Sequence, residues 1–254
     1  MSHLIKIDKI LVSVIIPYFK KRKFIEKTIN SIKSQTHKKL EIIIVFDDKD
    51  HTDLKLIRKI KKSDSRIKII INKIQLGAGF SRNIGVRSAR SNYIAFIDAD
   101  DLWKKDKIEL QLKFMIKNHL QISHTSYEIL KENQTNKKIM RAKTYKNYKQ
   151  LLPSCDVGLS TVMLKKKLIS KKCQFPKLKT KEDFALWLLI LKKNVIFGAL
   201  DKNLTAWRKL DNSLSSSVFQ KLKDGFNLYR NYMKFNIFKS FFYLSILSIN
   251  FLRK

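Results

Sequence analysis

Tyr93-Ile-Ala-Phe-Ile-Asp-Ala-Asp-Asp101 is the stretch whose reading decides the fold. An unbroken apolar run of this length suits a strand covered on both faces. It runs straight into three carboxylates within four positions, Asp98, Asp100 and Asp101. In a parallel α/β sheet the carboxyl end of a strand is where ligands bind. Carboxylates this close repel one another, and keeping them ionised costs free energy unless a cation sits among them. Hard divalent cations such as Mg2+ or Mn2+ accept oxygen ligands and complete their shells with substrate phosphates. The plainer alternative is a solvated acidic loop, or a cap for a helix near Lys104. Acidic residues number 21 against 54 basic ones, so a cluster placed at a strand end points to a site.

Working outward, the chain alternates apolar runs with helical stripes. Val12-Ser-Val-Ile-Ile-Pro17, Glu41–Phe46 and Ile67–Ile71 read as strands. Phe24–Gln35 carries Ile25, Ile29 and Ile32 at helical spacing, Asp53–Lys62 carries Leu54, Ile57 and Ile60, and Lys105–Asn118 carries Ile108, Leu112 and Met115. Gly79–Ala89 reads as a helix opened by glycine. Strands alternating with helices of this length predict βαβ units and a parallel sheet. Right-handed crossovers then gather Pro17-Tyr-Phe-Lys20, Asp47-Asp48 and Asp98–Asp101 on one edge. The second half is less regular. Ile122–Lys131, Ser160–Leu164 and Val195–Leu200 read as strands, with a polar loop at Lys131–Lys138. Thr180–Lys192 reads as a helix, as does Ser213–Asn236.

Three further groups can carry chemistry. Asp47-Asp48 closes the second strand, where a carboxylate can accept from a base imide or a ribose hydroxyl, or simply shape a turn. Leu76-Gly-Ala-Gly-Phe-Ser-Arg-Asn83 precedes a helix but is neither a Walker loop nor G-x-G-x-x-G, since position 82 is Arg. Arg82 is a candidate phosphate contact. Glu182-Asp183 opens a helix, where carboxylates favour the macrodipole or present a general base.

The net charge is +33, and 44% of the residues are hydrophobic. A chain of 254 residues with that share can bury a substantial core, and with only 3 Pro and 6 Gly it is no linker or collagen-like sequence. The basic excess suggests a polyanionic partner: nucleic acid, an anionic membrane or a phosphorylated substrate. It consists of 44 Lys against 10 Arg spread over the whole chain, the pattern of an AT-rich coding bias rather than of a base-reading surface. A basic nucleic-acid-binding α/β protein without enzymatic activity remains the competing class, but it predicts Arg and aromatic platforms, and the aromatics here are scattered or fall in the C-terminal tail. Cys155 and Cys173 stand outside any zinc spacing and read as reduced thiols of a cytoplasmic protein. No stretch reaches the length of a spanning helix.

Five collinear stretches carry a resemblance: Val12–Pro17, Ile29-Asn-Ser-Ile-Lys-Ser-Gln-Thr36, Glu41–Asp48 with Thr52-Asp53, Gly79-Phe-Ser-Arg-Asn-Ile-Gly85 with Tyr93–Trp103, and Glu182-Asp-Phe-Ala-Leu-Trp187. Over residues 10–215 their order and spacing resemble family 2 glycosyltransferases. With Trp207-Arg208 and Ser213-Leu-Ser215 they look like the members that build surface polysaccharides, teichuronic-acid-type enzymes included. The resemblance implies a GT-A fold, a Rossmann-like, mostly parallel sheet flanked by helices, over residues 1–212, with a C-terminal helical extension over 213–254. It implies inverting, non-processive transfer from a nucleotide-sugar, UDP-linked in many members, to a glycan or polyprenyl-linked acceptor, with Mn2+ or Mg2+ as cofactor. Carried over, Pro17 and Phe19 line the nucleoside pocket and Asp47 binds the base. Arg82 lies near the base or diphosphate, Asp98-Ala99-Asp100 contacts the donor, with Asp98 on the ribose, and Asp100 with Asp98 holds the metal. Asp183 is the catalytic base, expected to be ionised at its ordinary pKa. The sequence departs from the family pattern at Lys20, where Asn is usual, in the longer Asp48–Asp53 turn, and at Leu210, where many members have His. No specific nucleic-acid partner is implied.

The tail Phe238–Leu252 is rich in aromatic and aliphatic residues. As a helix it would be about 22 Å long, short of the ~30 Å hydrocarbon core. It is expected either to lie on an anionic membrane, which places the protein peripherally on the cytoplasmic face of the plasma membrane, or to pack on the domain or a second subunit.

Overall fold

The computed structural model describes residues 7–130, 138–210 and 217–253. Residues 131–137 of the loop expected over Lys131–Lys138, the boundary at 212/213 and Ser213-Leu-Ser215 lie outside them. The first half is built as the alternation predicts: β1 (Val12–Tyr18), α1 (Arg22–Lys33), β2 (Leu40–Phe46), α2 (Leu54–Lys62), β3 (Ile67–Ile71), α3 (Ala78–Ser88) and β4 (Tyr93–Phe96). The order β3-β2-β1-β4 is parallel throughout. Every residue of β1 and β2 is buried, because successive side chains serve two cores. Ile15, Ile43, Val45 and Phe96 face one that includes Val86 of α3. Val14, Ile16, Ile42 and Ile44 face another that includes Ile25 and Ile29 of α1 and Ile57 of α2. This double coverage is why these strands read as continuous apolar runs rather than alternating ones.

Gly85 shows how tightly a layer is set. A Cβ there would stand 2.5 Å from Ile15 Cγ2, so α3 lies against β1 only because position 85 has no side chain. Pro17 sits inside β1 at no cost to the ladder. Its neighbours pair with β2, whereas pairing with β4 ends at Ile15↔Phe96 and the next β4-side bond is Ile97 N–H to Ile15. The pairing of β1 with β4 stops there, at the carboxyl ends of both strands. Here the strand order reverses direction, the switch point at which open α/β sheets bind ligands.

The second half extends the sheet as β8-β6-β9-β5 and makes it mixed. It comprises β5 (Leu102–Trp103), α4 (Lys107–Lys117), β6 (Ile122–Leu130), β7 (Lys138–Met140), the short α5 (Tyr148–Leu151), β8 (Met163–Lys165), α6 (Glu182–Leu191) and β9 (Phe197–Arg208). β8 runs antiparallel to both β4 and β6, while β9 runs parallel to β6. Three expectations are corrected. The strand read over Ser160–Leu164 starts later, after a 3-10 turn at Leu159–Thr161. The strand read over Val195–Leu200 runs to Arg208, since its polar middle pairs with β6 across an irregularity at Thr125–Tyr127. The helix read to Asn236 is α7 (Val218–Asn227) continued by a π-turn over Leu228–Tyr232. α8 (Ile237–Leu252) closes the fold, capped by the Asn236 side chain on Lys239 N–H at 2.8 Å. Neither cysteine is in a disulfide.

Candidate active site

The Asp98–Asp101 turn follows β4 at this switch point. Its backbone is anchored from α1 by the Thr28 hydroxyl, which donates to the Ala99 and Asp101 carbonyls. Ala99 is buried beneath it. Ser160 is the hub of the turn: Asp98 N–H donates to its Oγ at 3.0 Å, and its hydroxyl donates to Asp101 Oδ2 at 2.5 Å. Arg208 N–H donates to Asp101 Oδ1 at 2.9 Å, and Arg208 Nε to the Asp100 carbonyl at 3.0 Å. Both oxygens of Asp101 are therefore engaged, and the residue is buried. Burial, with Asp98 and Asp100 beside it, pushes its carboxyl well above the usual range. Its part is to hold the turn, which leaves Asp98 and Asp100 to face ligands.

Those two carboxylates each meet a cation. Arg82 Nη2 lies 2.7 Å from Asp98 Oδ1, and Arg82 Nη1 lies 2.6 Å from Glu182 Oε1. Arg82 is not the surface residue its type favours: its side chain is 4% exposed and stacks over the Phe175 ring at 5.4 Å. It thus bolts the end of β4 to the start of α6. Gly79 allows that approach, since a Cβ there would stand 3.0 Å from Glu182 Cγ. The Lys21 ammonium lies 2.7 Å from Asp100 Oδ2. Burial and Asp98 raise the Asp100 pKa, and Lys21 opposes them.

Asp183 follows Glu182 in the first turn of α6, and its Oδ1 accepts from Phe184 N–H at 2.7 Å. The expectation of an ordinary pKa is corrected. Burial, then the Glu182 charge, push the carboxyl up to about 7, against the opposing pull of Arg82. Lys181, just before, has φ of 63°. A non-glycine residue in that region is held there by its surroundings, commonly at functional sites.

Asp47 is buried at the end of β2. It accepts from Asn72 Nδ2 (2.7 Å), Leu76 N–H (2.8 Å) and Gly77 N–H (2.7 Å). A carboxylate offers about four acceptor positions, so one remains for a ligand. Pro17 is buried and Phe19 half-buried at the end of β1, where Lys20 adopts φ of 49°. The structure thus brings Asp98, Asp100, Arg82, Glu182 and Asp183 into one charged network, with Pro17, Phe19 and Asp47 at neighbouring strand ends. Lys21, Ser160 and Glu182 as the partner of Arg82 are additions to the sequence reading. Only Lys21 carried a signal, as part of the basic run Lys20–Lys23 after the first strand.

A metal's fit can be judged from the donors. Among the described residues no group of three or more His, Cys, Asp or Glu converges as a closed protein cage. Asp98 and Asp100 are hard oxygen donors, and an ammonium already occupies a cation position on Asp100. Two carboxylates that leave the remaining positions to substrate phosphates suit Mg2+ or Mn2+.

A parallel half with carboxylates at its strand ends, continued by a mixed half that delivers a further carboxylate from α6, is a doubly wound α/β architecture with its acidic residues gathered at the switch point. Residues 13–172 match the model of glycosyl transferase family 2. The chain is 33% identical over 233 residues to a putative teichuronic acid biosynthesis glycosyltransferase of Bacillus subtilis, covering 91% of this chain and 92% of that one. It is 32% identical over 245 residues to an Escherichia coli UDP-Glc:alpha-D-GlcNAc-diphosphoundecaprenol beta-1,3-glucosyltransferase, covering 95% and 94%. In fold it is similar to residues 1–349 of S. aureus TarS, solved with UDP-GlcNAc, with a TM-score of 0.70, 19% identity, and coverage of 92% of this chain and 70% of that one. The chain belongs to glycosyl transferase family 2.

Proposed function

We propose that the protein is an inverting, non-processive glycosyltransferase that moves a sugar from a UDP-sugar to a polyprenyl-diphosphate-linked glycan on the cytoplasmic face of a membrane. The observation that carries this is the Asp183 carboxyl. It is tied through Glu182 and Arg82 to Asp98 at the strand switch point and raised to about 7, near the pH at which it would work. A general base is most effective when its pKa lies near the operating pH.

In this reading Pro17 and Phe19 line the nucleoside pocket, and the last acceptor position of Asp47 takes the base. Asp98 accepts from the ribose. The acceptor hydroxyl attacks the anomeric carbon while Asp183 takes its proton. The bond to the nucleoside diphosphate breaks in the same displacement, and the diphosphate departs with that electron pair. Arg82 keeps the base oriented and, by opposing the rise of its pKa, keeps a working share ionised. Asp100, with Asp98, would hold a divalent ion, which supplies charge neutralisation for the departing diphosphate. Lys21, which pairs with Asp100, would give up that carboxylate to such an ion.

Support comes from the relatives' names and from the chain itself. Among the described residues no helix is long and apolar enough to cross a membrane, and the sequence holds Trp207-Arg208 rather than Gln-x-x-Arg-Trp, which argues against a processive synthase. The test is a panel of UDP-, GDP- and dTDP-sugars with Mn2+, assayed for hydrolysis and for transfer to GlcNAc-diphosphate-undecaprenol. UDP-sugar turnover that rises with the acceptor is expected. Turnover of none of the panel, or only of GDP- or dTDP-sugars, would overturn the reading.

A further inference from the structure

The α7–α8 pair presents an apolar face that the described residues leave exposed. The helices run antiparallel. Lys221 lies over the Phe251 ring at 4.8 Å, a Cβ on Gly225 would meet Leu244, and Phe226 packs on Phe241 at 4.8 Å. Inward, α8 buries Ser240 and Leu247. Outward, at i, i+3, i+4, i+11 and i+14, stand Phe238, Phe241, Phe242, Ile249 and Leu252, with Phe238 and Leu252 each 83% exposed. Phe219, 77% exposed, and Leu222 extend the exposed apolar surface along α7. An apolar face of this extent on a folded chain marks an interaction site.

This face is fixed to the catalytic end of the molecule. Asp224 of α7 accepts from both Thr180 N–H (2.8 Å) and Thr180 Oγ1 (3.0 Å). Thr180 immediately precedes Lys181, Glu182 and Asp183. The Lys181 stem then runs along α7, its Cε 3.6 Å from where a Gly225 Cβ would lie. Lys221 is one turn earlier on the same side of α7. Lys209 follows Arg208, whose backbone holds Asp101. Burial, and after it the charges of Lys181 and Lys209, depress the Lys221 pKa, and the Lys221 ammonium lies over the Phe251 ring at the edge of the apolar face. None of the three is in a salt bridge among the described residues. Lys181 and Lys221, one helical turn apart along α7, with Lys209 contributing its charge, make the junction between the apolar face and Asp183 favourable for an anion.

We propose that Lys181, Lys209 and Lys221 form the subsite for the diphosphate of a membrane-embedded polyprenyl acceptor, and that the α7–α8 face rests in the bilayer surface from which that lipid projects. The subsite rests on the glycosyl-transfer reading above and deepens it by naming where the acceptor binds. The chemistry is consistent at each point. Lysine is a compact point charge suited to phosphate. Aromatic side chains flanked by lysines suit the interface of an anionic leaflet. α8 spans about 24 Å, too short for the ~30 Å hydrocarbon core, so it lies in the interface. The headgroup sugar, one step beyond the diphosphate, then points at Asp183.

The test is flotation with three kinds of vesicle: phosphatidylcholine alone, phosphatidylcholine with phosphatidylglycerol, and phosphatidylcholine with undecaprenyl diphosphate at matched surface charge. UDP affinity is measured in parallel, and circular dichroism confirms that each variant is folded. The wild type is expected to prefer undecaprenyl diphosphate over the charge-matched phosphatidylglycerol vesicles. Lys181→Gln/Lys209→Gln/Lys221→Gln should lose affinity for undecaprenyl diphosphate by about fivefold per lysine, on the order of a hundredfold in all, and keep its UDP affinity. Phe238→Ser/Phe242→Ser should weaken binding to all three vesicles. Undiminished binding by the lysine variant, equal wild-type binding to the two charged vesicles, or unchanged flotation of the phenylalanine variant would overturn the proposal. So would a parallel loss of UDP affinity in the folded lysine variant, which would place the lysines in the donor site. A wild-type chain that binds no UDP would sink the glycosyl-transfer reading instead, whatever the vesicles show.

Discussion

Replacing Asp183 by Asn should make the protein more stable at alkaline pH and no more stable in acid. In the fold the carboxyl titrates near 7, against 3.8 in the unfolded chain. Between those values the native state holds a proton that the unfolded state has released, so stability falls as pH rises. At ~1.4 kcal/mol per decade the interval sets an upper bound of about 4 kcal/mol. Asp183 is only half-buried and shares its shift with Glu182, so a gain of about 2 kcal/mol is expected above pH 7. Asn keeps the shape and the acceptor for Phe184 N–H but carries no charge to desolvate. The difference between variant and wild type should therefore open between pH 4 and 7, rising from nothing to a Tm gain of roughly 4–8 °C for a chain of this size. Urea unfolding of both proteins from pH 4.5 to 8.5 measures it, with every other titrating group cancelling in the difference. A difference that stays flat with pH, or a variant less stable than wild type at pH 8, would refute the assignment of a strained, proton-hungry carboxyl at this position.

Other substitutions separate the remaining parts. Arg82→Met strands Asp98 and Glu182 without their shared cation and should cost about 3 kcal/mol in urea unfolding; it should also move the acid limb of the pH–rate profile to higher pH, because Arg82 opposes the rise at Asp183. Asp100→Asn should largely abolish Mn2+-dependent UDP binding in a calorimetric titration, whereas Lys21→Met, which removes the competing ammonium, should tighten it about two- to fivefold; equal Mn2+ affinity in all three proteins would remove the metal from Asp100. Gly85→Val should cost on the order of 1–3 kcal/mol or more, because its Cβ would stand 2.5 Å from Ile15 Cγ2; a Tm equal to wild type would show that α3 is free to shift.

The parallel half was legible because its physics is local. β1, β2 and β4 lie between two apolar layers, so their runs needed no partner information, and the carboxylates at their ends were in plain view. The second half was less legible because its pairings are long-range. β9 carries a polar middle, Asp201-Lys-Asn203, that pattern alone ends, yet it pairs with β6 beyond it. Ser160 reads as an ordinary strand residue until β4 and β8 bring it under the Asp98–Asp101 turn. The pKa of Asp183 was missed for a related reason. Its helix start was visible, but the Glu182–Arg82–Asp98 chain that encloses it spans 100 residues of sequence.

The most direct test of the central claim is the anomeric configuration of the product. Wild-type protein and Asp183→Asn are incubated with Mn2+, the UDP-sugar donor that the panel selects and GlcNAc-diphosphate-undecaprenol, and the linkage is read by NMR. The account predicts a single product with configuration opposite to that of the donor, and a rate at least about 100-fold lower for Asp183→Asn at equal UDP affinity. A product that keeps the donor's configuration, or an Asn variant that transfers at the wild-type rate, would contradict it.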